Sequence, residues 1–165
     1  MTATEASSHY PVLTKRKNIL IADDSEMVRT KIRQALVRDT PFEVCGEAVD
    51  GTDAVSKAKE LSPDLIILDV RMPGLNGIEV AGILRYALPE IRIVLVTVYA
   101  EDLEKNFTSL FRIDAVLDKA DGLTELTAYV RSLLNGCQPE IATALDLDGD
   151  LTIRQKVRRA GNDVD

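Results

Sequence analysis

Asp64-Leu65-Ile66-Ile67-Leu68-Asp69-Val70-Arg71-Met72-Pro73-Gly74 contains an apolar run that stops at a carboxylate and then turns through Pro-Gly. A short run that is apolar at every position, rather than at alternate ones, fits a strand covered on both faces, as in a parallel sheet. The break after Leu68 leaves the Asp69 carboxylate at a strand tip. Upstream the same design recurs, with Asn18-Ile19-Leu20-Ile21-Ala22 running into Asp23-Asp24. Two buried strands thus deliver acids to their carboxyl ends.

Working outward, strands and helices alternate. Residues 25–38 carry Met27, Val28, Ile32, Ala35 and Leu36 near helical spacing, with charged residues between them and Pro41 beyond. Strand-like 42–49 and helix-like 51–61 follow, then the strand at 64–68 and a helix over 77–88. The remainder reads as strand 91–96, helix 101–111, strand 115–117 and helix 123–134. Five β/α units predict an α/β fold, a doubly wound parallel sheet with helices on both faces, because parallel strands need right-handed crossovers. Such sheets bind ligands at the carboxyl ends of their strands. Here those ends are acidic.

Length and composition fit one such domain. The 165 residues suit a single core with appendages, at 45% hydrophobic and 28% charged, and no apolar run approaches the roughly 18 residues of a membrane span. Residues 1–10 lack the cationic start and apolar stretch of a secretory signal, which predicts a cytoplasmic protein that does not enter a membrane. A formal net charge of −7 argues against nucleic-acid binding by this chain alone and suits a divalent cation. Cys45 and Cys137 have no partners at metal-ligand spacing, and Cys45 reads as strand core. The division expected is an N-terminal extension over 1–17, a domain over 18–135, and a tail over 136–165 with at most one short helix near 151–160. In the tail, 146–150 looks like a calcium loop, but its glycine is fourth rather than sixth and Val157 replaces the closing glutamate. The tail's Arg154, Lys156, Arg158 and Arg159 read as the exposed face of that helix, His9 has no assigned role, and Asp64 reads as a turn residue after Pro63.

The acids carry the chemistry. Asp23, Asp24 and Asp69 would converge in one cleft from neighbouring strands, and a hard dication with oxygen ligands would neutralise their repulsion. Mg2+ fits best, with Mn2+ as the alternative ion. Asp69 is then placed as a nucleophile toward phosphorus. Lys119, after the fifth strand, can supply a point charge to phosphoryl oxygens, and Thr97, ending the fourth, a hydroxyl donor. Taken singly each feature has a plainer reading: paired acids as helix caps, Lys119 as a surface charge, Thr97 as a strand-end hydroxyl. Their ordered occurrence on strand tips favours the chemical one.

In order, Asp23-Asp24, Leu68-Asp69-Val70-Arg71-Met72-Pro73-Gly74, Thr97 and Asp118-Lys119 resemble the motif set of response-regulator receiver domains of two-component signalling, over about residues 18–134. The resemblance implies a flavodoxin-like sheet of order 2-1-3-4-5 and a phosphorylated Asp69. It implies direct metal ligation by Asp24 and Asp69, ligation through water by Asp23, and a backbone-carbonyl ligand from Arg71. Lys119 would pair with the acceptor carboxylate and then the phosphoryl group, and Thr97 would move onto the phosphate. The donor would be a sensor histidine kinase or a phosphotransfer protein, the output a contact with a downstream protein, and the chain would catalyse only its own phosphorylation and dephosphorylation.

Three positions depart from that pattern. Val116 replaces the aromatic switch residue of many receivers, Val98 stands where the family usually has a small residue, and Ala120 replaces a proline that often follows a cis bond. Tyr99 is a candidate for a related switching role. The wording of 44–51 and 119–121 is most similar to receivers that head helix-turn-helix transcription factors, yet the residues after 135 lack two apolar-periodic helices joined by a Gly turn. A DNA-binding regulator whose reader is absent here, an aspartate-nucleophile phosphatase and a phosphorylation-independent pseudo-receiver are the competing readings. A homodimer formed on phosphorylation is compatible with all of this.

Overall fold

The computed structural model describes residues 16–38, 42–98 and 110–135. Five parallel strands, β1 (Lys17–Ala22), β2 (Phe42–Ala48), β3 (Leu65–Asp69), β4 (Arg92–Thr97) and β5 (Ala115–Asp118), form one sheet in the order β2-β1-β3-β4-β5. Helices α1 (Glu26–Val37), α2 (Gly51–Leu61), α3 (Gly77–Ala87) and α4 (Leu123–Leu134) connect or follow them, with a 3-10 turn at Lys119–Asp121. The expected helix over 101–111 falls mainly on residues outside the described ones, as do the N-terminal extension up to residue 15, Tyr99, and the tail from residue 136 with its short helix and acidic turn.

Strand residues alternate between two cores. Leu20, Ala22, Ile66, Leu68, Ile93 and Leu95 pack under α2 and α3 against Ala54, Ala58, Val80 and Leu84. Their neighbours Ile19, Ile21, Leu65, Ile67, Val94 and Val96 pack under α1 and α4 against Ile32, Leu36, Leu126 and Val130. Because both faces are covered, both alternating sets must be apolar, which is why these strands show no polar alternation. Local chemistry fixes the helix starts. Asp50 caps α2 by accepting from Asp53 N at 2.8 Å. Asn76 and Glu79 cap α3 reciprocally, with Asn76 Oδ1 accepting from the backbone N–H of Ile78 and Glu79 while Glu79 Oε2 accepts from Asn76 N.

Three expectations need correction. β3 and β5 run on to Asp69 and Asp118, because the parallel ladders continue through Asp69↔Val96 and Thr97↔Asp118. The backbone of Asp69 is therefore held in the sheet. Asp64 is more than a turn residue: its carboxylate accepts from Lys17 Nζ at 3.0 Å and Asn18 N at 2.9 Å, and its carbonyl accepts from Arg92 N. It joins the starts of β1, β3 and β4. Cys45 is half-buried rather than full core, and its thiol donates to the Ile19 carbonyl at 3.5 Å. There β2 carries a bulge: Ile19 pairs with Val44, but Leu20 pairs with Gly46.

Candidate functional site

Since β1 and β3 are neighbours, the acids at their ends meet. One carboxylate oxygen from each of Asp23, Asp24 and Asp69 lies within 4.8 Å of the others. Asp23 is 2% and Asp69 5% exposed, whereas Asp24 faces solvent. Asp23 is fixed from several sides: its N–H donates to the Ala48 carbonyl, and its Oδ1 accepts from Ser25 N at 2.8 Å. Asp69 is fixed by the sheet and by the turn that follows, where Gly77 N donates to the Val70 carbonyl at 3.0 Å.

Lys119 reaches this cluster from the turn after β5, a turn that Asp118 caps by accepting from Ala120 N. Its Nζ is 2.8 Å from Asp23 Oδ2 and 3.3 Å from Asp69 Oδ1. One cation thus spans two of three carboxylates, and the cluster keeps an excess of negative charge. Burial pushes the Asp69 carboxyl above the usual range; Lys119 opposes this, Asp23 adds to it, and the Arg71 backbone hydrogen bond opposes it. Burial works against the charge on Lys119, but the hydrogen bond and charge of Asp23, with Asp69 behind them, outweigh it and hold its pKa above the ordinary value. Three acids and one lysine, all presenting hard donors or charge at one edge, suit a small dication and a phosphoryl group.

Thr97 is buried at the tip of β4, between the tips of β3 and β5. The site residues inferred from sequence are therefore brought to one edge of the sheet, with the Arg71 side chain exposed beside them. Of the departing residues, Val98 is 54% exposed next to Thr97, Val116 packs against the core under α2 and α3, and Ala120 is exposed with no cis bond among the described residues. A separate depression of about 560 Å³ lies at the opposite edge, bounded by Lys17, Pro63, Pro89 and Leu134, far along the strands from the acids.

Sequence reasoning missed Arg29 and Glu47. Arg29 is 8% exposed; its Nη1 donates to the Asp23 carbonyl at 2.7 Å and its Nε to Glu47 Oε2 at 3.1 Å. The available signal was position: 29, 32 and 36 share one helix face, and the other two are the core residues Ile32 and Leu36. A cation on an apolar face needs buried partners.

Comparison with known proteins agrees with this geometry. Residues 19–131 match the family model of the response regulator receiver domain. The chain is 36% identical over 134 residues to the response regulator GacA of Pseudomonas viridiflava, covering 78% of this chain and 62% of that protein. It is 34% identical over 126 residues to the response regulator protein VraR of Staphylococcus epidermidis, covering 74% and 60%. Among solved structures, the response regulator domain of Thermotoga maritima CheB superposes with a TM-score of 0.66 at 25% identity, covering 75% of this chain and 97% of that one. A LuxR-family DNA-binding response regulator from Staphylococcus aureus gives 0.66 at 26%, covering 71% and 98%. The chain belongs to the response regulator receiver family. It spans about three fifths of the length of these curated relatives.

Proposed function

We propose that Asp69 accepts a phosphoryl group, with Asp24 and Asp69 as direct ligands of a Mg2+ or Mn2+ ion, Asp23 as a ligand through water and Arg71 contributing its backbone carbonyl. The observation that carries this is the meeting of a buried strand-end carboxylate, two further acids within 4.8 Å and Lys119 at 3.3 Å. An Asp69 Oδ attacks phosphorus, the bond from phosphorus to the donor's nitrogen or oxygen breaks, and the leaving group departs with its electron pair. The product is an acyl phosphate. The cation, when bound, screens the repulsion between two anions that must touch. Lys119 compensates charge on the phosphoryl oxygens, and Thr97 supplies a hydroxyl donor to them. The sheet ladder holds the Asp69 backbone, so the nucleophile is positioned before the donor arrives.

The donor is a phosphohistidine on a sensor kinase or phosphotransfer protein, and the output is a contact with a downstream protein, within the cytoplasm. Residues 18–135 form the receiver, with extensions at either end. Incubation with Mg2+ and acetyl phosphate, followed by intact-mass measurement, tests the core claim. A single phosphate adduct is expected, lost with chelator and in Asp69→Asn. Repeated turnover of a phosphoester by the same acids would instead favour a phosphatase, and a folded, Mg2+-binding protein that forms no adduct would favour a pseudo-receiver.

A second reading has its own support. The relatives are longer than this chain, and a structural neighbour is described as a DNA-binding regulator. On that reading this is the receiver portion of a transcriptional regulator. Because the reader on this reading lies outside these 165 residues, fluorescence anisotropy of the full-length gene product on duplex DNA, with and without acetyl phosphate, separates the two: the first reading expects no binding in either condition.

A further inference from the structure

We infer that Arg29 is a positioning residue for the cation site, held in place by Glu47, and that the bulge in β2 exists in this chain to aim Glu47 at it. The inference rests on the proposed reading of Asp23, Asp24 and Asp69 as a divalent-cation site.

The geometry begins in β2. Val44 packs on the α1 side of the sheet and Cys45 on the α2 side, as alternation requires. A regular strand would send Gly46 to the α1 side and Glu47 to the α2 side, among Leu20, Ala54 and Ala58. The register shift at Ile19/Leu20 breaks this alternation. A Cβ on Gly46 would meet Leu61 at 2.7 Å and Leu20 at 3.3 Å, so Gly46 too lies on the α2 side. Glu47 is thereby turned to the α1 side, where its carboxylate accepts from Arg29 Nε and Arg33 Nε. Bulges re-aim side chains beside functional sites, and they are rare in parallel pairs.

Arg29 then reaches back six residues to the carbonyl of Asp23. Its remaining bond, to Glu47, orients the planar guanidinium so that Nη1 points at that oxygen. The peptide whose carbonyl it holds is the one linking Asp23 to Asp24. Both acids hang from that peptide, one buried and one exposed, so its orientation decides where the two carboxylates stand relative to Asp69. Ser25 N and Ala48 O hold Asp23 from the other sides. Without the guanidinium the Asp23 carbonyl loses a buried donor and the peptide gains freedom to rotate. Partners that orient metal ligands without touching the metal typically change affinity by tenfold or more.

The test is Mn2+ binding by isothermal titration to the full chain, beside thermal melts, for Arg29→Gln, Arg29→Lys, Glu47→Gln, the Arg29→Gln/Glu47→Gln double variant and Asp24→Asn. The expected result is a Kd for Mn2+ raised about tenfold in Arg29→Gln, with partial recovery in Arg29→Lys. Glu47→Gln should raise it about threefold, and add nothing further once Arg29 is gone. At saturating Mg2+ the final adduct with acetyl phosphate should still reach one per chain, a split that a general loss of structure would not produce. A cooperatively melting Arg29→Gln with the wild-type Kd overturns the inference, as does strict additivity in the double variant. If Arg29→Gln fails to fold, Glu47→Gln decides alone, and an unchanged Kd overturns it. If the wild type and Asp24→Asn bind Mn2+ equally, the cation-site reading itself fails and takes the inference with it; if they differ while Arg29→Gln matches the wild type, only the inference falls.

Discussion

Gly77→Ala should displace the proposed phosphoacceptor, Asp69, without altering any proposed site residue. Gly77 opens α3 and lies against the backbone of β3: a Cβ built there would be 2.3 Å from the Asp69 carbonyl oxygen and 2.9 Å from Val70 Cα. Both are main-chain atoms, so no side chain can swing aside. Reaching even a 3.0 Å contact requires the strand end and the helix start to part by roughly 0.7 Å. Overpacking of this kind costs about 1–3 kcal/mol, and at about 3–5 °C per kcal/mol for a domain of this size Tm should fall by roughly 3–15 °C. Because the moved atom belongs to Asp69 itself, labelling should slow by about tenfold to a hundredfold, the sensitivity expected for misplacement approaching 1 Å. The assay is a time course of adduct formation by intact mass at saturating Mg2+ and acetyl phosphate, well below both melting temperatures. Gly82→Ala is the control, since the nearest atoms to its Cβ would belong to the Phe111 ring, at 3.1 Å, a side chain that can yield. A Gly77→Ala protein with wild-type Tm and wild-type labelling would refute the claim that the β3–α3 contact sets the position of Asp69.

Other outcomes follow from the same structure. Mg2+ at a hundred times its Kd should stabilise the wild type by about 2.7 kcal/mol, seen as a rise in Tm that Asp24→Asn and chelator both abolish. Asp69→Asn should form no adduct and should raise Tm of the metal-free protein near neutral pH, because burial and Asp23 disfavour the ionised carboxyl that it removes. Glu47 titrates the other way: burial works against its charge, but the hydrogen bonds from Arg33 and Arg29 outweigh this and hold its carboxyl below the usual glutamate value of about 4.5. Its stabilising contribution is therefore present above pH 4.5 and lost as pH falls through the lower folded value, so the difference in Tm between wild type and Glu47→Gln should be full at pH 7 and vanish in acid. Asp50→Ala removes the α2 cap and should cost about 1 kcal/mol in urea melts while leaving the labelling rate unchanged.

The sheet was legible because burial on both faces leaves so plain a mark. Ile19 to Ala22 and Leu65 to Leu68 are apolar at successive positions, and only a strand sandwiched between helix layers needs both alternating sets to be so. Strand ends were read one residue short at Asp69 and Asp118, since a carboxylate in the last rung of a ladder looks, in sequence, like the start of a loop. The acids themselves were legible because each follows directly on an apolar strand run. What supports them was not. The bulge at Cys45–Gly46 depends on the register between β1 and β2, and register is a relation between distant segments that neither segment states alone. Asp64 was misjudged for the same reason, as its partners Lys17, Asn18 and Arg92 belong to two other strands.

The two edges of the sheet show how this fold separates holding from acting. At the amino-terminal edge two acids are matched: Asp64 takes Lys17 and Asn18, and Asp114 accepts from Arg92 and from the N–H of Ile93. At the carboxyl edge Lys119 reaches two of the three acids, and of those two the buried Asp69 is the worse served, 3.3 Å from Nζ against 2.8 Å for Asp23. A chain selected for stability alone would place an amide or an apolar residue at Asp69, since a buried carboxylate without full compensation is destabilising. That deficit fits the proposed chemistry, in which a dication supplies the missing positive charge and lets the anionic phosphoryl group approach. The cost is kept local, because Asp69 is anchored through its backbone in the ladder while its side chain stands at the edge. On the proposed reading, that one under-compensated carboxylate is what a bound dication neutralises, so that Asp69 can attack an incoming phosphoryl group.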